Sequence, residues 1–163
     1  MRKLLLTLLS AATLSAVATT KNEAMKIDNS LTQAEKDAGI LSAEVMWKMG
    51  RVGSSVVSPD GKTVIYTVTR YSMADNKGIT NIYKTTPKGG EAVCLGDGTS
   101  NESSLSFSAD GSKIYFLSDR SGSNQLWSSD LEGRNAQQLT NVEDGIDSYG
   151  ISADESTMYY TKS

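Results

Sequence analysis

A chain of 163 residues, 38% hydrophobic and 21% charged, is long enough for one ordinary globular domain and is neither a membrane-spanning bundle nor a disordered tail. A formal net charge of −3 with scattered basic residues disfavours nucleic-acid binding, and the absence of histidine removes every chemistry that needs an imidazole. Fourteen glycines, seven tyrosines and only two prolines, set in short stretches, favour an all-β chain with frequent turns.

Residues 1–18 begin with Arg2 and Lys3, continue in a leucine- and alanine-rich run and end Ala16-Val17-Ala18. A basic start, an apolar middle and a small-x-small site make an export signal, and cleavage is expected after Ala18. Thr7, Ser10, Thr13 and Ser15 interrupt the run, and nothing later approaches the roughly twenty apolar residues of a membrane span. An uncleaved anchor is the alternative; an exported, periplasmic protein with no span after cleavage is the expectation. Losing Arg2 and Lys3 from 16 basic residues leaves 14 against 19 acidic ones, a net charge of −5.

Residues 19–41 read as a polar leader without a sustained period, although Thr32-Gln33-Ala34-Glu35 has the spacing of a capping box and predicts a short helical turn. A short helix is expected from Ser42 to Met49. Ser42 is its cap, Leu41 and Met46 stand at the positions of a hydrophobic staple, and Gly50 is its left-handed stop.

The domain proper, residues 42–163, carries one pattern three times: Ser58-Pro59-Asp60-Gly61 before Val64-Ile65-Tyr66, Ser108-Ala109-Asp110-Gly111 before Ile114-Tyr115-Phe116, and Ser152-Ala153-Asp154-Glu155 before Met158-Tyr159-Tyr160. The intervals are 50 and 44 residues, the spacing of propeller blades. In each copy a Ser-x-Asp turn reverses the chain, Asp bonding nearby backbone N–H groups and Gly, in the first two, accepting positive φ, before a β-branched and aromatic strand. Inner strands precede the turns near 55–57, 104–107 and 148–151, and further strands follow at 81–84 with 92–95, then 125–128 with 137–139. Pro87-Lys88-Gly89-Gly90-Glu91 and Leu131-Glu132-Gly133-Arg134-Asn135 join the third and fourth strands. The expected fold is thus an incomplete β-propeller of two four-stranded blades and the first two strands of a third, after a short helix. A sandwich or a β-solenoid could also hold three such hairpins, but strand and turn recurring at one interval favour the propeller. Tyr66, Tyr115, Phe116, Tyr159 and Tyr160 are expected between stacked blades, and unpaired faces and edges invite self-association.

Candidate chemistry is sparse. No Ser-His-acid or Cys-His arrangement is possible without histidine, and no Gly-x-Ser-x-Gly stretch occurs. Asp60, Asp110 and Asp154 share one turn context and are read as turn residues rather than acids. Glu143-Asp144-Gly145-Ile146-Asp147 lacks the ligand alternation of a calcium loop and reads as a solvated turn. Gly96-Asp97-Gly98 and Gly50-Arg51-Val52-Gly53 lack phosphate-loop spacing and read as turns. Cys94 is expected as a small buried hydrophobe, Trp47 and Trp127 as packing residues, and Asn101-Glu102-Ser103 as a chance glycosylation acceptor. No catalytic, cofactor-binding or metal-binding residue is assigned, and no cofactor is expected.

With the repeats established, the chain resembles the N-terminal part of a bacterial prolyl oligopeptidase family enzyme, in particular of its dipeptidyl-peptidase 5 group. Trp47-Lys48-Met49-Gly50-Arg51-Val52-Gly53 leading into Val57-Ser58-Pro59-Asp60-Gly61-Lys62-Thr63-Val64 carries the resemblance, with the run from Phe116-Leu117-Ser118-Asp119-Arg120 to Gln125-Leu126-Trp127 and Gln138-Leu139-Thr140 through Ile146. The Ser-Pro-Asp-Gly-Lys turn alone is shared with propellers that resemble the TolB protein. The resemblance spans residues 41–163. It implies a propeller that admits short peptides to a C-terminal α/β-hydrolase domain, whose serine triad cleaves dipeptides. Ala109 and Ala153 depart from the usual proline, and Glu155 from the glycine. Two functions follow as expectations: the gating portion of an exported serine exopeptidase, catalytic domain outside this chain, or a non-catalytic TolB-like binding module acting through self-association or an envelope partner.

Overall fold

The computed structural model describes residues 29–163; the export signal of residues 1–18 and the first part of the leader lie outside the described residues. Two short helices come first, α1 (Gln33–Ala38) and α2 (Ala43–Lys48). The capping box is formed: Thr32 Oγ1 accepts from Glu35 N, and the Glu35 carboxylate accepts from Thr32 N at 2.8 Å. Glu35 also receives both of its oxygens' contacts from Lys48 Nζ at 2.9 Å, which ties α1 to α2. Ser42 caps α2 as expected. The stop differs: Met49 ends the helix in an extended conformation, and Gly50 is not left-handed. Leu41 and Met46 remain 61% and 51% exposed, so the staple buries little. No helix of the described residues is long and apolar enough to cross a membrane.

Ten strands follow in three antiparallel sheets. The first holds β1 (Arg51–Val57), β2 (Val64–Ser72), β3 (Lys77–Thr85) and β4 (Val93–Cys94) in that order. The second holds β5 (Glu102–Phe107), β6 (Lys113–Ser118), β7 (Gln125–Asp130) and β8 (Gln137–Gln138), and the third pairs β9 (Ser148–Ile151) with β10 (Met158–Thr161). This is the four, four and two arrangement that the repeats predict. Pairing runs one residue past each short fourth strand, since Leu95 N donates to Ile82 O and Leu139 N to Leu126 O, both at 2.8 Å.

Two local expectations are corrected. Gly50-Arg51-Val52-Gly53 is not a turn, because Arg51 to Gly53 open β1. A Cβ at Gly53 would stand 2.5 Å from Thr67 Oγ1 and one at Gly50 2.8 Å from Val68 Cγ1, so these glycines serve close strand approach rather than reversal. The β2–β3 hairpin also extends beyond the expected strands, with nine paired positions from Val64↔Thr85 to Ser72↔Lys77.

The core lies in the seams between sheets. Ile65, Ile82 and Leu95 of the first sheet meet Leu105, Ile114 and Phe116 of the second, whereas Tyr115, Leu117 and Leu126 meet Ile146 with Tyr149 and Ile151 beside the third. Strand alternation therefore sends Ile114 and Phe116 backward and Tyr115 and Leu117 forward, so the second blade is buried on both faces. Each fully buried aliphatic side chain contributes about 1.5–3 kcal/mol. Tyr66, on the face of β2 opposite Ile65, is not between blades but stacks on Tyr83 of its own sheet with centroids 5.9 Å apart, while Tyr115 and Phe116 sit between blades as expected. Tyr159 and Tyr160 do not: they are 64% and 49% exposed, because β10 is the outer strand of a two-stranded sheet with no further sheet against it among the described residues.

Candidate functional site

Each Ser-x-Asp turn is a closed hydrogen-bond unit. Ser58 Oγ donates to Asp60 Oδ1 at 2.6 Å, Lys62 N donates to the same oxygen at 3.1 Å, and Thr63 N donates to Ser58 Oγ at 2.9 Å. Ser108 and Asp110 repeat the set with Ser112 and Lys113, as do Ser152 and Asp154 with Ser156 and Thr157. These bonds hold the Asp60 carboxyl below its usual range and draw Asp110 and Asp154 down to about 2. All three acids are spent on turn geometry.

The remaining sequence candidates find structural places. Asp144 and Gly145 form a left-handed turn, and Lys162 Nζ reaches Glu143 O at 2.6 Å. Asp97 caps its own loop through Thr99 N and Ser100 N, each at 2.8 Å. Asn101 is engaged by Thr80 N and by Asp119, which orders the loop before β5. Cys94 is half-buried rather than buried, opposite Tyr83 in the ladder. Trp127 packs in the first seam. Trp47 sits edge-on to Tyr71 at 5.5 Å, the guanidinium of Arg51 covers both rings, and both rings line an open cavity of about 470 Å³ beside α2.

What the arrangement can do is present backbone and hydroxyl groups. The first strands of the three sheets lie side by side: β1 borders β5, and Tyr149 of β9 donates to Ser104 O of β5 at 2.6 Å and lies 2.8 Å from Ser106 Oγ. Each has one edge unpaired within its sheet, and the residues along them, Ser54, Ser55, Ser103, Ser104 and Ser148, are exposed. β1 and β5 bulge at matching places, between Val52 and Ser55 and between Ser103 and Ser106. Ser104 takes φ 53 there, a conformation uncommon for serine. Burial pushes the Tyr149 phenol up to about 12, against the pull of Ser106, so it remains a hydrogen-bond donor across this seam. Such a wall can bind an extended chain but has no base to activate a hydroxyl.

A second assembly was not foreseen from sequence. Glu102, 1% exposed at the start of β5, accepts from Ile82 N of the first blade at 3.0 Å and pairs with Arg120 Nη2. Arg120 Nε lies 3.6 Å from Asp97 Oδ2, and its guanidinium covers the rings of Phe116 and Trp127 at 5.2 and 4.9 Å. Ser118-Asp119-Arg120 stood within the family-like stretch, but Glu102 has no sequence signal because strand alternation does not reveal a buried acid.

The chain matches the family described as the TolB beta propeller domain over residues 35–163. It is 32% identical over 134 residues to dipeptidyl-peptidase 5 of Porphyromonas endodontalis, which covers 82% of this chain and 19% of that protein; the chain thus spans about a fifth of this relative's length. Among solved structures it resembles TolB of Acinetobacter baumannii, with a TM-score of 0.54 and 25% identity over 66% of this chain and 26% of that one. It shares its fold with the acylaminoacyl peptidase of Pyrococcus horikoshii, with a TM-score of 0.55 and 23% identity over 68% of this chain and 17% of that one.

Proposed function

The chain belongs to the TolB β-propeller domain family, and on that premise we propose that it forms the opening blades of the substrate-gating propeller of an exported serine exopeptidase, of the dipeptidyl- or acylaminoacyl-peptidase type. The observation that carries this reading is the 32% identity to a dipeptidyl-peptidase 5 across 82% of the chain. The exposed serine-rich first strands support it: their unpaired edges suit the backbone of a short peptide, with little apolar surface to hold it back. A chain with no histidine cannot furnish a serine triad; an α/β-hydrolase domain would supply it, and the propeller would select by width rather than by chemistry. The signal ending at Ala18 would deliver the protein to the periplasm.

The likeness to a TolB at 25% identity favours a second reading, a non-catalytic binding module that acts through self-association or an envelope partner. Immunoblotting the source cells with an antibody against residues 111–134 separates the two. The peptidase reading expects a species several-fold heavier than 17.5 kDa whose immunoprecipitate releases dipeptides from peptide substrates. A band slightly below 17.5 kDa without hydrolysis would transfer the assignment to the binding module.

A further inference from the structure

The assembly around Glu102 unites three features: a carboxyl almost wholly out of water, a guanidinium laid over two neighbouring aromatic rings, and a location on the seam between two blades. Glu102 meets groups from every neighbouring element. Ile82 of β3 donates its N–H at 3.0 Å, Arg120 of the β6–β7 connection contributes its charge, and the loop before β5 contributes the Asp97 carboxylate and backbone N–H. Asp119, the other acid of that region, is turned away and held by Asn101 N and Nδ2 at 2.8 and 2.9 Å. Arg120 has further partners of its own, Ser118 Oγ at 3.1 Å and Asp97 Oδ2 at 3.6 Å.

We propose that this seam is a proton-operated latch: ionised Glu102 holds the guanidinium of Arg120 at the start of inner strand β5, and neutral Glu102 lets it go, leaving Arg120 to Asp97 and Ser118. The argument is linkage. The positive charge of Arg120 favours the ionised form of Glu102, so a proton on Glu102 must weaken the hold on Arg120 by the same free energy. Burial, opposed by the Ile82 N–H and Arg120, pushes the Glu102 carboxyl up to about 7, which brings this exchange into a mild pH range. The sign for the whole fold is different. A carboxyl raised from 4.5 to about 7 contributes stability that is present below 4.5 and lost as pH rises through about 7. Release of Arg120 on mild acidification is therefore a local event without global unfolding, and the latch does not depend on the peptidase reading.

The guanidinium lies 4.9 Å from the Trp127 ring, so Trp127 reports its position. The chain has two tryptophans, and Trp47→Phe leaves Trp127 as the sole tryptophan, read by exciting it selectively over the seven tyrosines. Emission followed from about pH 5 to about pH 9 should show a single one-proton transition with a midpoint near 7. Glu102→Gln should flatten it. Asp97→Asn should move the midpoint down, because the Asp97 charge disfavours ionisation of Glu102. A flat profile in the parent chain, or a transition unchanged in Glu102→Gln, overturns the latch. Should circular dichroism show that Glu102→Gln has not folded, Asp97→Asn decides: a lowered midpoint supports the latch, and an unmoved one rejects it.

Discussion

Glu155 occupies the third-turn position that Gly61 and Gly111 hold in the others, with φ of 56° against 70° and 72°. An L-residue there costs about 1 kcal/mol relative to glycine, so something must offset it. Its side chain reaches back to the preceding blade: Oε1 accepts from Ala109 N at 2.7 Å and Oε2 from Tyr115 O–H at 3.0 Å. The departure that weakens the turn in sequence thus clamps the third blade to the second. Burial, and then the bond to Glu155, pushes the Tyr115 phenol up, which keeps it a donor. A double-mutant cycle of Glu155→Gln and Tyr115→Phe should yield a coupling of about 0.5–1.5 kcal/mol in urea unfolding; strict additivity would mean the bond does not form. The turn aspartates act in another pH range. Asp110 and Asp154, drawn from 3.8 to about 2, add stability above 3.8 that is lost as pH falls through about 2, well below the window of Glu102.

At the scale of the element, the loop between β4 and β5 is tightly constrained. A Cβ on Gly96 would stand 2.3 Å from both Asn81 Oδ1 and Glu102 Oε2, and neither atom can yield freely, since the first accepts from Gly98 N and the second from Ile82 N, each at 3.0 Å. Gly96→Ala should therefore cost about 1–3 kcal/mol by thermal or urea unfolding, whereas Gly61→Ala, with open space around it, should show only the smaller cost of its positive φ. Equal losses at both positions would refute packing as the cause at Gly96. This loop also marks how far sequence reasoning reaches. The Ser-x-Asp turns were legible because each is a local motif whose bonds span five residues or fewer. The extension of β2 and β3 to Ser72 and Lys77 was not, because Arg70 to Ser72 and Lys77 to Thr80 break the apolar alternation and are ordered by pairing with each other. The Glu102 assembly stayed hidden for a related reason: its partners at Ile82, Asp97 and Arg120 come together only when two blades stack.

Across the whole molecule, successive blades meet by one rule. Turns stack at one end, with Pro59 against Gly111 and Ala109 against Glu155, while forward-facing side chains of one sheet fill the backward face of the next. Tyr159 takes the place that Ile65 and Tyr115 take in their own blades, both of which are buried in a seam. Tyr159, 64% exposed beside the unpaired outer edge of β10, thus presents outward a position whose equivalents are already in contact in two blades, whereas Met158 pairs with Ile151 and points back toward the second blade. An apolar face next to a free strand edge favours association over solvation. The 163-residue chain in isolation is accordingly expected to give a mass that rises with concentration in size-exclusion chromatography with light scattering. Tyr159→Ser should suppress that rise and leave the first two blades intact by circular dichroism, because Tyr159 does not belong to their seam. A concentration-independent monomer in the parent chain would show that Lys162 and the hydroxyls of Ser148 and Thr161, 2.6 Å apart, suffice to keep this edge solvated.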